Sequence, residues 1–316
     1  MTVPHVVKGR DHAGPRKDNM RVLLIGLGDI AQKAYLPVLS RRADLDIHLA
    51  TRDQVVLDAV GRAFRIEHRH ANATDALSAT SFDAAFVHAA TPAHADLVRL
   101  LIERGVPTFV DKPLADNLSD VQALVASATA RAVPLMVGFN RRFAPDYMAL
   151  RGIGANLILM EKHRFRQPDA PRRVVFDDFI HVVDTLLFLV PGAVRRRTVE
   201  THVVDGLLHA VTLTLAGDGF TAIGTMHRDS GLDEERLDAM GGGARHTVLN
   251  LAERIEARGV QHSHRRADWT SVGRQRGFEA MCADFLLAAS ERRPVDGAAI
   301  LETHETCEAI VRHAQH

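Results

Sequence analysis

The sequence predicts an α/β chain in two parts: a doubly wound parallel sheet, then an α+β domain with an open, mostly antiparallel sheet. Three observations carry this reading. From Arg21 to Val137, short and near-continuous apolar runs alternate with amphipathic helical stretches, as strands buried on both faces by helices require. Beyond Phe139 the strand candidates lengthen and alternate polar with apolar residues, which suits an antiparallel sheet with one covered face. The chain is 316 residues long, more than one core supports, so two domains are expected.

Residues 1–19 mix Lys8, Arg10, Arg16 and Lys17 with Asp11, Asp18, Pro4 and Pro15 and hold no apolar run, so they read as a flexible arm. Residues 20–138 form the first domain, with strands expected at 22–25, 47–50, 84–87, 107–110 and 135–137. One intervening helix is well punctuated: Thr91 as N-cap, Pro92 at the first helical position, Leu97, Leu100 and Leu101 on one face, and Gly105 past the end. Repeated strand–helix–strand units imply a parallel sheet. Residues 139–316 form the second domain, with strands expected at 155–161, 195–204, 208–215 and 220–227 and closing helices near 275–290 and 298–313.

Composition excludes several classes. Lys+Arg and Asp+Glu both number 39, and 46% of residues are hydrophobic, which argues against disorder and against a polyanionic partner, nucleic acid or membrane surface. No stretch of 18 apolar residues could form an ordinary transmembrane helix. The two cysteines, Cys282 and Cys307, have no paired spacing and read as reduced thiols, so a cytoplasmic location is expected. Only five of the cationic side chains are lysines, Lys8, Lys17, Lys33, Lys112 and Lys162, so each merits its own question.

Directly after the first strand stands Gly26-Leu27-Gly28-Asp29-Ile30-Ala31, a G-x-G-x-x-A sequence that opens a helix. Glycine permits the tight turn and lets backbone approach a pyrophosphate, the small Ala31 lets helix and strand pack, and the helix N-terminus supplies amide donors. This is the fingerprint of a Rossmann dinucleotide site. A site for NAD wants an acidic residue at the end of the second strand. There the chain has Thr51-Arg52-Asp53. Arg52 can pair with a 2′-phosphate, and Asp53 reads as the cap of the next helix. NADP(H) is therefore favoured, with NAD(H) as the alternative.

Asp111-Lys112-Pro113 follows the next-to-last strand of the first domain, at a carboxyl end that faces the ligand crevice in open α/β sheets. Pro113 restricts Lys112 to an extended conformation. Further on, Asp177, His181 and Asp184 fall at i, i+4 and i+7, a polar stripe on an otherwise apolar helix. Such stripes line sites, or else form a self-satisfied pair. No metal site is expected, because two ligands at i, i+4 lack a third, and the histidines of 68–70 and 262–264 read as solvated loops.

Taken together, the glycine loop, Asp111-Lys112-Pro113, Gly138-Phe139-Asn140-Arg141-Arg142-Phe143 and Asp177-x-x-x-His181-x-x-Asp184 resemble the Gfo/Idh/MocA family of nicotinamide-dependent oxidoreductases, from Met20 onward. Ile30-Ala31-Gln32-Lys33-Ala34, Asn140 to Pro145 and Met226-His227-Arg228 look most like its MviM-type branch. The resemblance implies that Lys112 and the Asp177/His181 pair face the nicotinamide. Asp111 stands where the family usually has glutamate, and Phe179-Ile180 where many members have smaller residues.

The expected activity is hydride transfer between nicotinamide and a carbinol or carbonyl carbon of a small polyhydroxylated, sugar- or cyclitol-like substrate. Lys112, His181 and Asp177 form the catalytic set, and the order of Lys112 and His181 in proton transfer is left open. The cofactor set is Gly26, Gly28, Asp29, Ile30, Thr51, Arg52, Thr91, Pro92, His94 and Lys112. His94 stands where it could reach the cofactor ribose, but it reads first as a helix-start histidine exposed to water. Asn140, Arg141, Lys162, Arg164, Asp177 and His181 are the substrate candidates, and for Arg141, Lys162, Arg164 and Arg228 a surface ion pair is an equal reading. The rival class is a nucleotide-binding sensor without turnover. A free sheet face in the second domain predicts a homodimer or homotetramer.

Overall fold

The computed structural model describes residues 19–315, so all of the expected arm except Asn19 lies outside the described residues. The first sheet contains β1 (Met20–Ile25), β2 (Leu45–Ala50), β3 (His68–His70), β4 (Ala84–Val87), β5 (Thr108–Val110) and β6 (Leu135–Val137). Their spatial order is β3-β2-β1-β4-β5-β6 and every pair is parallel. The chain direction across the sheet reverses between β1 and β4, which opens the ligand crevice at their carboxyl ends. Burial on both faces explains the unbroken apolar runs: Val22, Leu23, Leu24, Phe86 and Phe109 are fully enclosed.

The second sheet contains β7 (Leu157–His163), β8 (Val194–Val204), β9 (Leu207–Gly217), β10 (Phe220–His227), β11 (Glu234–Gly241), β12 (Ala244–Leu249), β13 (Glu253–Arg258) and β14 (Val260–Arg265). Its order is β14-β13-β12-β11-β7-β10-β9-β8, antiparallel throughout except for the parallel pair β7/β10. The helix Ile180–Leu189 lies on β7 and β10. A side chain at Gly224 would come within 2.4 Å of Val182 and 2.8 Å of Leu186, so this glycine sets how closely helix and sheet approach. The closing helices run Phe278–Glu291 and Gly297–His313. Cys282 and Cys307 are free and buried. Among the described residues no helix is long and apolar enough to cross a membrane.

Four expectations need correction. The histidine stretches at 68–70 and 262–264 are edge strands β3 and β14, not loops. Strands β11 to β13 were not anticipated, because charged residues interrupt their apolar alternation. Thr91 does not cap the following helix; Thr91–Ala93 is a 3-10 turn with Ala90 at its N-cap, and the helix proper is His94–Glu103. Finally, the helical stripe through Asp177, His181 and Asp184 is broken by a π-turn at Val175–Phe179. Asp184 turns inward and is fully buried, bonded by Arg142 at 2.6 Å and by Thr303 at 3.4 Å. It braces three elements and takes no part in the cleft.

One buried histidine ties the two domains. His304 accepts from the Leu114 amide at 3.1 Å through Nε2 and engages the Ile300 carbonyl at 2.7 Å through Nδ1. Burial pushes its pKa down to about 4 from 6.5. The unfolded chain therefore takes up a proton between pH 6.5 and 4 that the folded chain refuses, and stability falls across that window as pH is lowered. The loss should approach about 3 kcal/mol. Urea unfolding of the wild type and His304→Gln between pH 7 and 4 checks this: the variant, less stable at pH 7, should show a shallower acid dependence.

Candidate active site

Two adjoining clefts lie at the carboxyl edge of the first sheet. The first, about 460 Å³, is lined by Gly26, Gly28, Thr51, Arg52, Asn72, Ala89 and Ala90 among others. Gly26 adopts φ +86°, and a Cβ there would stand 2.5 Å from the Ala89 backbone nitrogen. Only glycine lets β1 turn so tightly beside the end of β4. A Cβ on Gly28 would meet nothing within 4 Å, so this glycine faces open cleft. These features fit a pyrophosphate laid over the turn at a helix start. Arg52 is exposed at the rim, while Asp53 accepts from the Val56 amide at 3.0 Å as the helix cap. No carboxylate among the residues lining this cleft stands at the end of β2.

Some of the expected cofactor residues lie elsewhere. Asp29 is exposed and pairs with Lys33 at 2.5 Å, and Pro92 is exposed. Ile30 and Thr91 line the second cleft. His94 is neither exposed nor free. It is buried, and its ring nitrogens lie 2.8 Å from the carbonyls of both Pro113 and Ala89. It thereby clamps the loops after β4 and β5 together.

The second cleft, about 500 Å³, continues from the first through Ala89 and Ala90. It gathers Lys112, Asn140, Arg141, Lys162, Arg164, Asp177 and His181, drawn from both domains. Lys112 leaves the end of β5, and its Nζ donates to the Asp177 carbonyl at 2.5 Å. Burial pulls the Lys112 ammonium below its ordinary 10.5, although Asp177, Asp178 and Asp111 oppose the shift. Burial, and then the cations Arg141, Lys112, Lys162 and Arg164, hold His181 well below 6.5. Among the described residues neither ring nitrogen of His181 is hydrogen-bonded. It is a neutral imidazole available at the cleft wall.

Beneath this pair lies a floor of charge. The alternation of β7 places Ile158, Met160 and Lys162 on one buried face. The register with β11 sets Lys162 beside Glu235. Arg141 grips Glu235 with two bonds, 2.8 and 2.5 Å, and Tyr147 adds a third at 2.9 Å. Burial alone would raise the Glu235 carboxyl, but Arg141 and Lys162 bring it down to about 2. Asp178 receives Lys162 at 3.0 Å, Arg164 at 2.8 and 2.9 Å, and Arg228 at 2.7 Å. Six cations in and under the cleft (Lys112, Arg141, Lys162, Arg164, Arg228 and Arg276) thus meet four carboxylates, Asp111, Asp177, Asp178 and Glu235. The excess is positive.

Asp178, not Asp177, is the carboxylate that organises the floor. The π-turn leaves Asp177 half-exposed, its carboxylate 3.8 Å from Arg173 and its carbonyl holding Lys112. A regular 3.6-residue helix assigns the inward position to Asp177, which is why periodicity passed over its neighbour. π-turns of this kind recur beside functional clefts, and a second one, Ala31–Tyr35, ends on a residue that lines this cleft. Tyr35 donates to Asp111 at 2.6 Å, and His88 meets the other carboxylate oxygen at 2.8 Å. Asn140 donates to the Arg276 carbonyl at 2.8 Å, which brings Arg276 and Phe278 to the cleft rim. Neither Glu235 nor Tyr35 carries a sequence signal for this place; strand register and the π-turn put them there.

The parallel sheet with its glycine turn, and the lysine and histidine meeting in the adjoining cleft, define a two-domain oxidoreductase built on an NAD-binding Rossmann fold. Comparison with known proteins makes the class specific. The model of the GFO/IDH/MocA oxidoreductase family, NAD-binding Rossmann fold, matches residues 20–139, and that of the YceM-like C-terminal domain matches residues 147–258. The chain belongs to the Gfo/Idh/MocA family of oxidoreductases. It is 36% identical over 280 residues to the oxidoreductase YceM of Salmonella typhimurium, covering 84% of this chain and 88% of that one. A myo-inositol dehydrogenase, Hyg17 of Streptomyces leeuwenhoekii, is 34% identical over 200 residues, 58% of this chain and 59% of that one. Among solved structures, a Gfo/Idh/MocA family oxidoreductase from Vibrio cholerae superposes with a TM-score of 0.89 at 30% identity, covering 94% of this chain and 98% of that one. The MviM dehydrogenase from Clostridium difficile gives 0.87 at 29% identity, covering 93% and 99%.

Proposed function

We propose that the chain is an NADP(H)-preferring dehydrogenase acting on a CH–OH group of a small polyhydroxylated, sugar- or cyclitol-like substrate that carries an anionic group. The observation that carries this reading is the convergence of Lys112 and His181 on one cleft, directly beyond the glycine turn and above a floor of excess positive charge. The inositol and apiose dehydrogenases among its relatives support the polyol class. Gly26, Gly28, Thr51 and Arg52 hold the nucleotide, and when bound its nicotinamide supplies or takes the hydride. Lys112 donates a hydrogen bond to the substrate oxygen and stabilises charge that develops there. His181, neutral and unbonded, takes the hydroxyl proton during oxidation and returns it during reduction. Asp177 fixes Lys112 through its carbonyl and presents its exposed carboxylate to a neighbouring hydroxyl. Asn140, Arg141, Lys162 and Arg164 shape the floor, with Arg164 the most open of the three cations. The exposed face of β8, with Arg195, Arg196, Arg197 and Glu200, and the edge strand β14 are mostly polar, so assembly of copies through the second sheet would rest on ionic and hydrogen-bonded contacts.

NADP+ reduction with a panel of aldoses, inositols and sugar acids tests the activity. Turnover with one of the acids at a rate above its neutral parent is the expected result. Tight nucleotide binding without turnover on any of them would leave a sensor. Arg52 is exposed and its charge is available to a 2′-phosphate. Arg52→Ala should raise KM for NADP+ about tenfold and leave NAD+ nearly unchanged. Equal effects on both would remove Arg52 from the 2′-phosphate role.

A further inference from the structure

At the outer edge of the first sheet, the register of β2 with β3 sets His48 beside His68. Asp46, two residues before His48, shares their face of the sheet. Asp46 Oδ2 lies 3.5 Å from His48 Nε2, and Asp46 Oδ1 lies 3.6 Å from His68 Nε2. Neither separation is a good hydrogen bond. Both are close to the spacing a tetrahedral ion imposes on its ligands, about 3.3 Å for bonds of about 2.0–2.1 Å. The three donor atoms all lie within 4.8 Å of one another.

A second, independent observation concerns His48 itself. It is only 6% exposed, and its Nε2 is buried without a hydrogen-bond partner among the described residues. A buried imidazole nitrogen normally finds one. Its other nitrogen, Nδ1, is 3.0 Å from His70 Nε2. If Nδ1–H donates to His70, Nε2 is left with a free lone pair 3.5 Å from Asp46 Oδ2. That is the arrangement of a metal-ligating histidine, whose second ring nitrogen donates to an outer partner that fixes the tautomer.

We propose that Asp46, His48 and His68 form a zinc-type divalent metal site, with His70 as the outer partner of His48. The donor set of imidazole and carboxylate suits zinc, cobalt or nickel rather than magnesium or calcium. The rings of His48 and His68 stack at 4.2 Å with planes 10° apart, so ligation requires a turn of one ring. His68 has that freedom, its side chain being 57% exposed. Bound metal would fasten the three-residue edge strand β3 to β2. The Thr51 amide donates to the His70 carbonyl at 3.3 Å, so the same strand pair backs the wall of the nucleotide cleft where Thr51, Arg52 and Asn72 stand. The sequence alone offers no such grouping, because His48 lies twenty residues upstream of His68 and meets it only through parallel pairing.

The full chain, stripped with EDTA and dialysed, should take up one zinc ion per chain at micromolar ZnCl2, with a rise in Tm, and should give the intense visible bands of tetrahedral cobalt when Co2+ is used instead. His68→Ala, at an exposed position, and Asp46→Asn should each weaken zinc binding by at least about tenfold. His262→Ala, on the exposed strand β14, is the control for ordinary surface histidines and should bind as the wild type does. No stoichiometric uptake by the wild type, or equal uptake in His68→Ala and Asp46→Asn, overturns the proposal. A loss in His262→Ala matching that in His68→Ala overturns it as well, because the ion would then sit elsewhere. Each readout is independent of turnover.

Discussion

Lys112→Ala and His181→Ala should each lower kcat by about 10²-fold to 10⁴-fold while the Kd for nucleotide changes little, the range expected when one positioned acid–base group is lost. Both side chains line the second cleft, whereas the glycine turn and Arg52 line the first, so chemistry and nucleotide affinity separate by position. Nucleotide titration by fluorescence and steady-state kinetics on the same preparations make the check. A parallel loss of affinity and turnover would make the residue structural. The pH profile gives a second handle. His181 is held well below 6.5 by burial and the neighbouring cations, and burial draws Lys112 below 10.5. The acid limb of kcat/KM in the wild type should therefore fall below pH 6.5, and His181→Ala should abolish it.

Glu235→Ala should cost about 3–5 kcal/mol of stability, the usual penalty for leaving buried charge without its partner. Arg141 keeps 6% of its side-chain surface and Lys162 5%, and both lean on Glu235, at 2.5 and 3.6 Å. Glu235→Gln, which keeps the shape and can still accept from Tyr147, should cost less. The sign of the pH dependence follows from the depressed carboxyl. Glu235 titrates near 2 in the folded chain against 4.5 when unfolded, so its contribution is complete above pH 4.5 and is lost as pH falls towards 2. Urea unfolding at pH 7 and pH 3.5 should show a smaller gap between wild type and Glu235→Gln at the lower pH. An unchanged gap would mean that Glu235 ionises alike in the folded and unfolded chain, so that its charge adds no stability beside Arg141.

Much of the nucleotide side was legible because it depends on local rules. The glycine turn, the cap at Asp53 and the carboxyl-end position of Lys112 all follow from spacing and from backbone constraints within a few residues. The catalytic side was legible only in part. Lys162 stands out only as one of five lysines and His181 as a polar residue on an apolar helix, but the periodicity that marks His181 also assigns Asp177 and Asp184 to its face. The π-turn at Val175–Phe179 displaces that register, sends Asp184 to Arg142 and brings Asp178 to the floor. His94 likewise misled, since a histidine at a helix start looks solvated until the Pro113 and Ala89 carbonyls close on both of its nitrogens.

By itself the sequence determined the fold class, the parallel first domain, the nucleotide loop and the identity of the lysine and histidine in the cleft. Each of these is written in apolar periodicity or in residues whose backbone demands are met nearby. The tertiary structure alone decided which charges face which. The pairing of β7 with β11 joins Lys162 to Glu235, the fold of residues 139–144 brings Arg141 to the same carboxylate, and β2 with β3 joins His48 to His68. Charge pairing depends on separations of a few ångströms between residues dozens of positions apart. Only strand register and helix packing set those distances.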